Sequence, residues 1–303
     1  MTKKFLIVGD LHGNKPWIYF KDFDAIIAPG DFCSDAPRKY MFQALREKLK
    51  KKSKVEWYDM IGRKKAKKMI EKSLLDGRKV LEYLNSFGVP VYVVPGNWDW
   101  TADKNSEWDF LRQDHYRELT KALPNIVDVH CKILDAEDYQ IIGYGKCFAP
   151  EYPQYEEDLK LFSRKELKRK RENYKRILNK ISALFEKASK PVIFLSHNVP
   201  FNTPLDKITN KDSPRYGYHY GSLVVRKIIE KYQLLVCIGG HIHENFGKYR
   251  IGKTICINSG YGADVNTFLE LSGNKVKKLE FYRNAKKRAQ LQKKLDNFPI
   301  KKI

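Results

Sequence analysis

Seven side chains of this 303-residue chain have the types and spacing to do metal chemistry: Asp10, His12, Asp31, Asn97, His197, His241 and His243. They fall in five short motifs, in order Gly9-Asp10-Leu11-His12-Gly13-Asn14, Gly30-Asp31, Gly96-Asn97-Trp98-Asp99, Ser196-His197-Asn198 and Gly240-His241-Ile242-His243-Glu244. Carboxylate oxygen, imidazole nitrogen and amide oxygen together suit manganese, iron, zinc, nickel or magnesium. One ion with open positions needs three or four ligands. Seven supply two ions if one carboxylate bridges them.

Short apolar runs precede nearly every motif: Phe5 to Val8, Ala25 to Ala28, Val91 to Val94, Val192 to Leu195 and Leu234 to Ile238. Runs of this length read as strands buried on both faces. Ligand types therefore recur where strands end, the usual place for chemistry in an α/β sheet. A side-chain period of two would point Asp10 and His12 the same way. The same holds for His241 and His243 if the backbone stays extended. Gly9, Gly30, Gly96 and Gly240 precede ligands, where the chain must turn sharply or approach closely.

At these residues the chain resembles the calcineurin-like metallophosphoesterase superfamily, whose pattern is D-x-H, G-D, G-N-H-[DE], H and G-H-x-H. The resemblance runs from about Lys3 to Gly260, and the stretch from Ser196 is most similar to small prokaryotic phosphoesterases. It implies a four-layer α/β/β/α sandwich, and the alternation of strands and helices independently favours the α/β class. It also implies two divalent ions, manganese first among the candidates. Asp10, His12, Asp31 and His243 would hold one. Asp31 would bridge to a second, held also by Asn97, His197 and His241. A hydroxide between the ions would attack phosphorus in line. Two ions roughly 3.5–4 Å apart can hold both a phosphoryl oxygen and the attacking oxygen.

The pattern breaks at Trp98, where related sequences carry a histidine that helps protonate the leaving group. Asp99 remains, and is expected either to orient a ligand imidazole or to cap a loop. His219, before a helix starting at Ser222, is the expected stand-in acid, because helix N-termini attract anions. Asn14 is a candidate phosphate contact, and Tyr218 and Tyr220 are candidate pocket linings. His115 and His130 fall outside every motif. A missing acid favours good leaving groups, so a phosphodiester or nucleotide substrate is expected over a simple monoester. Two rivals stand beside this phosphoesterase reading: a nuclease, and a non-catalytic metal-binding scaffold.

The five cysteines form no C-x-x-C pair and are odd in number, so they read as reduced thiols in a cytoplasmic protein. Cys33 lies two residues from Asp31 but is expected to pack. No signal peptide or membrane-spanning stretch is apparent. Residues 1–282 read as one domain with helical insertions near 36–80 and 155–190, followed by a basic tail over 283–303. Net charge is +22, and it is unevenly placed. Residues 36–80 carry 16 Lys and Arg against 5 Asp and Glu, residues 160–190 carry 12 against 3, and residues 275–303 carry 11 against 2. The motif-bearing remainder is therefore mildly acidic. Leu167, Tyr174, Leu178, Ile181 and Phe185 mark one face of a helix. Two helices broken near Gly62 are expected in the first insertion. A final hairpin turns at Ser272 to Lys275. Such basic faces either bind nucleic acid or are solvated. Aromatics for base stacking are sparse there, with Trp57 and Tyr58 the main exceptions.

Overall fold

The computed structural model describes residues 2–51 and 55–284. The amino-terminal half contains β1 (Thr2–Ile7), β2 (Ala25–Ala28), α1 (Arg38–Lys51), α2 (Trp57–Ile61), α3 (Arg63–Asn85), β3 (Val91–Val93), α4 (Asp109–Arg112), α5 (His115–Thr120), β4 (Ile126–Asp128), β5 (Ile133–Ala136) and β6 (Tyr139–Tyr144). The remainder contains α6 (Glu156–Leu159), α7 (Arg164–Phe185), β7 (Val192–Asn198), α8 (Leu223–Tyr232), β8 (Val236–Gly240), β9 (Gly247–Ile251), β10 (Thr254–Asn258), β11 (Val265–Ser272) and β12 (Lys275–Arg283). The basic tail beyond residue 284 lies outside the described residues.

Two six-stranded mixed sheets face each other, in the orders β12-β11-β1-β2-β3-β4 and β5-β6-β7-β8-β10-β9. Successive residues of each apolar run serve different layers. Phe5, Ile7, Ile27, Tyr92, Ile193 and Leu195 fill the space between the sheets. Leu6, Ile26, Val91 and Val93 face outward against Val80, Leu81 and Leu84 of α3. Phe194 and Cys237 face outward against Ile181 and Phe185 of α7 and Ile228 of α8. This double burial is why the runs show no polar alternation. The outcome is the expected four-layer α/β/β/α sandwich.

The helical insertions match expectation in part. Helix α7 buries Ile181 and Phe185, with Tyr174 and Leu178 packed beside them. The first insertion breaks at Gly62, at φ 82°, but it holds a third short helix, α2. Trp57 and Tyr58 of α2 are buried with Ala44, Ala66 and Ile70. They are core residues of the insertion and unavailable for stacking on a base. The terminal hairpin turns at Gly273, at φ 55°.

Candidate metal centre

Strands β1, β2 and β3 run parallel in one sheet, and β7 and β8 run parallel in the other. Five strand ends thus deliver the five motifs to one place. Asp10, His12 and His243 form one group and Asp31, His197 and His241 a second, each with ligand atoms within 4.8 Å of one another. Asn97 Oδ1 lies 2.9 Å from His197 Nε2. The Asp31 Oδ2 atom lies 3.5 Å from His197 Nε2 and 3.8 Å from His12 Nε2. Its carboxylate therefore faces both groups. All seven expected residues converge.

They converge by a different route from the one expected. Asp10, His12, Asp31 and His241 have left-handed backbone, at φ 50°, 46°, 56° and 70°. Strand β1 ends at Ile7, so Asp10 and His12 share a pocket through a tight turn and not through strand periodicity. Such conformations cost about 1–2 kcal/mol each for non-glycine residues, and they cluster where function requires them. His197, by contrast, sits inside β7, beside a register shift against β8. Gly96 and Gly240 are needed for close approach, since a Cβ would run into the carboxylates of Asp31 and Asp10 respectively.

The donor set fits cations. Asp10 Oδ2 accepts from the His241 backbone N–H at 2.7 Å, but Asp10 Oδ1 is buried with no hydrogen-bond partner among the described residues. An orphaned buried anion is costly without a compensating charge. His12 Nε2 and His243 Nε2 face each other at 3.0 Å, although two neutral imidazoles share at most one proton between them there. Burial pushes His12 well below its ordinary pKa and His241 down to about 3, leaving neutral rings with lone pairs to donate. Burial, and then the charges of Asp10 and Asp99, push Asp31 well above the carboxylate range. Divalent cations would relieve that repulsion. His197 Nδ1 lies 2.8 Å from the Pro29 carbonyl, which orients its Nε2 toward Asp31 and Asn97.

Asp99 is a loop clasp. Its Oδ2 accepts from the N–H of Asp31 and Gly96, and its Oδ1 from those of Phe32 and Cys33, at 2.8–3.1 Å. It holds the two ligand-bearing turns together and leaves both oxygens engaged. Trp98 donates its backbone N–H to Asp31 Oδ1 at 2.8 Å and sets its indole edge-on to His12. Cys33 is buried and pressed against Gly77.

His219 lies elsewhere. Its Nδ1 sits 2.7 Å from the buried Asp206 carboxylate, and it is absent from the side chains lining the cleft over the ligands, which include Tyr220. The α8 N-terminus beside it is already occupied. Glu151 accepts from the N–H of Leu223 and Val224 and from Ser222 Oγ. Tyr218 stacks on Tyr155. The Asn14 amide donates to the Leu11 and His12 carbonyls and to Tyr261 Oη. That tyrosine packs against the rings of His12 and His243. The sequence reading missed Glu151, Tyr261 and Arg38. Arg38 starts α1 and lines the cleft with His12, Asp31, Asn97 and His243. Its only sequence signal is a position seven residues after Asp31, at the start of a basic run read as either nucleic-acid binding or solvated.

Two facing mixed sheets thus bring paired acid and histidine clusters together at their parallel strand ends, a candidate metal centre. The family model for calcineurin-like phosphoesterases matches residues 3–245, and the chain belongs to that family. An uncharacterized protein of Methanocaldococcus jannaschii is 36% identical over 90 residues, covering 29% of this chain and 37% of that protein. One crystal structure superposes with a TM-score of 0.61 at 20% identity, over 93% of this chain and 99% of the other, a likeness of fold. A Staphylococcus aureus protein assigned as a 5'-nucleotidase gives a TM-score of 0.48 at 14% identity, over 98% of this chain and 59% of that one.

Proposed function

We propose that this chain hydrolyses small phosphoesters with two divalent cations, diesters or nucleotides ahead of simple monoesters. The carrying observation is that two ligand groups meet across one shared carboxylate, Asp31. Asp10, His12, Asp31 and His243 would hold one ion, and Asp31, Asn97, His197 and His241 the other. When bound, such ions neutralise phosphoryl charge and lower the pKa of water. The protein's part is to fix the ligands through Asp99 and the Pro29 carbonyl, and to keep Trp98 against His12. The preference for diesters is supported by the surroundings of the leaving group. Trp98 replaces a histidine, Asp99 has both oxygens engaged, and His219 is bonded to Asp206 outside the cleft lining. With none of these three positions supplying an acid to the cleft, good leaving groups are favoured.

Residues 1–282 would act as one catalytic domain, in a cytoplasmic setting that keeps its free cysteines reduced. Among the described residues, the cations lining the cleft are Arg38 and Arg215, and no lysine of the basic helices joins them. That favours a small substrate over a nucleic acid strand. The test is a hydrolysis screen of bis-p-nitrophenyl phosphate, p-nitrophenyl phosphate, cyclic nucleotides and DNA with Mn²⁺, alongside metal analysis. The expected result is about two ions per chain, fastest cleavage of the aryl diester, and at least about 10²-fold loss in Asp31→Asn. Full activity in that variant would overturn the reading. A metal-loaded but inert wild type would point to the scaffold alternative.

A further inference from the structure

We propose that the inserted helix α1 builds a leaving-group pocket onto the metal centre, in which Arg38 holds a phosphoryl oxygen and Phe42, Leu45 and Phe148 receive a flat apolar group of the ester. The proposal rests on the phosphoesterase reading and names its substrate class: a small phosphoester with an aromatic or similarly flat leaving group.

Arg38, Phe42 and Leu45 are spaced by four and three residues, so they share one helix face. All three line the cleft of about 240 Å³ that opens over His12, Asp31 and Asn97. The Arg38 guanidinium pairs with Asp35 at the cleft and keeps 47% of its side chain exposed. It lines the cleft together with His12, Asp31, Asn97 and His243. It can therefore reach an anion seated beside the ligands. Phe148 is 55% exposed at the same cleft. It lines that cleft together with the ligands His241 and His243. A large exposed aromatic on a site wall gains most from covering by a ligand.

Ile208 and Pro214 add further apolar lining, and the loop that carries them is held in place. Arg46 of α1 donates to the Asp212 carbonyl at 2.9 Å. Glu244, directly after the ligand His243, accepts from the N–H of Thr209 and Asn210. The pocket is thus assembled before substrate arrives, which limits the ordering cost of binding. Charge argues for one phosphoryl group and an apolar body. Beyond Arg38 the other lining cation is Arg215, which is buried and paired with Asp158. Asp35 and Glu244 add negative charge to the rim. A second phosphate would find little to neutralise it.

The test is calorimetric binding of methylphosphonate, benzylphosphonate and naphthylmethylphosphonate to Mn²⁺-loaded protein. These probes share a charged head, have no leaving group, and differ in flat apolar area. Wild type should bind naphthylmethylphosphonate at least about tenfold more tightly than methylphosphonate. Phe148→Ala, at an exposed position where folding is not at stake, should lose most of that gain, and Phe42→Ala should do likewise. Arg38→Gln should weaken all three probes by a similar factor, with Arg38→Lys recovering part. Equal affinities in wild type, or a full gain in Phe148→Ala, overturn the pocket. Hydrolysis of aryl diesters without any aromatic gain would overturn the pocket alone. Aromatic gain without hydrolysis of any ester would leave the pocket standing and overturn the hydrolase reading.

Discussion

Asp99 shows how much one carboxylate can organise. Its four backbone donors come from two turns more than sixty residues apart in sequence. An amide in its place offers one accepting oxygen and presents an N–H₂ to donors that need acceptors. Asp99→Asn should destabilise the protein by about 2–4 kcal/mol. It should also weaken metal uptake, read as a lower denaturant midpoint and lower metal content at limiting Mn²⁺. An unchanged midpoint would show the clasp to be redundant. Trp98 makes a separate prediction. Rates in wild type should depend steeply on leaving-group pKa, and Trp98→His should flatten that dependence if the imidazole reaches the leaving oxygen. A flat dependence in wild type would mean that another acid is present. At this scale the seven ligand types were legible, because they recur in five short motifs at strand ends, four of them opened by a glycine. For Asp99 the loop-cap alternative was open beside the imidazole-orienting one, whereas the roles of Arg38 and Glu151 were not legible. A carboxylate that binds distant amides and one that faces solvent are written with the same letter.

Helix α8 illustrates the difference at the level of elements. The sequence reading treated its N-terminus as an open anion site near His219, and Glu151 fills it from a loop more than seventy residues earlier. Burial raises the Glu151 pKa above the ordinary carboxylate value, and its hydrogen bonds oppose that rise. Glu151→Ala leaves the Leu223 and Val224 amides without that acceptor. It should cost about 1–3 kcal/mol, measured as a loss of thermal or urea stability, with metal stoichiometry retained. Strands were easier to read than their ends. Apolar runs located β1, β2, β3, β7 and β8 because both faces of each are covered. The left-handed turns at Asp10 and His12 were invisible, since side-chain type reports poorly on a backbone angle fixed by tertiary contacts. The period of α7 was readable for the opposite reason: it has one buried face and three sides in solvent.

For the whole molecule, the open question is what its +22 charge does. The lysines of α3 are exposed, and among the described residues Arg38 is the residue of the first insertion that brings charge to the cleft. If the basic helices nevertheless carry nucleic acid, binding should collapse with salt. Six or more phosphate contacts lose about 10³-fold or more between 50 and 200 mM. Charge reversal at Lys50, Lys64 and Lys65 should then abolish binding and spare aryl ester hydrolysis. Retardation assays with single- and double-stranded DNA at 50 mM salt decide it, and no binding there makes these faces solvated surface.

The Asp99 clasp has a further consequence, for how such a protein could diversify. Because it locks Asp31 to Gly96, everything threaded between β2 and β3 hangs from a fastened junction. Within that span α3 belongs to the sandwich, through Val80, Leu81 and Leu84, whereas α1 and α2 pack on each other, on α3 and on Trp100, Trp108 and Phe110. Helices α1 and α2 therefore have the character of an exchangeable cassette. Loop-closure entropy rises only slowly with length, so longer or shorter cassettes can be grafted at modest cost. Each graft would present a new wall to the substrate while the ligand turns stay fastened behind it. Selection could thus rewrite what the enzyme recognises without revisiting how it holds its metals.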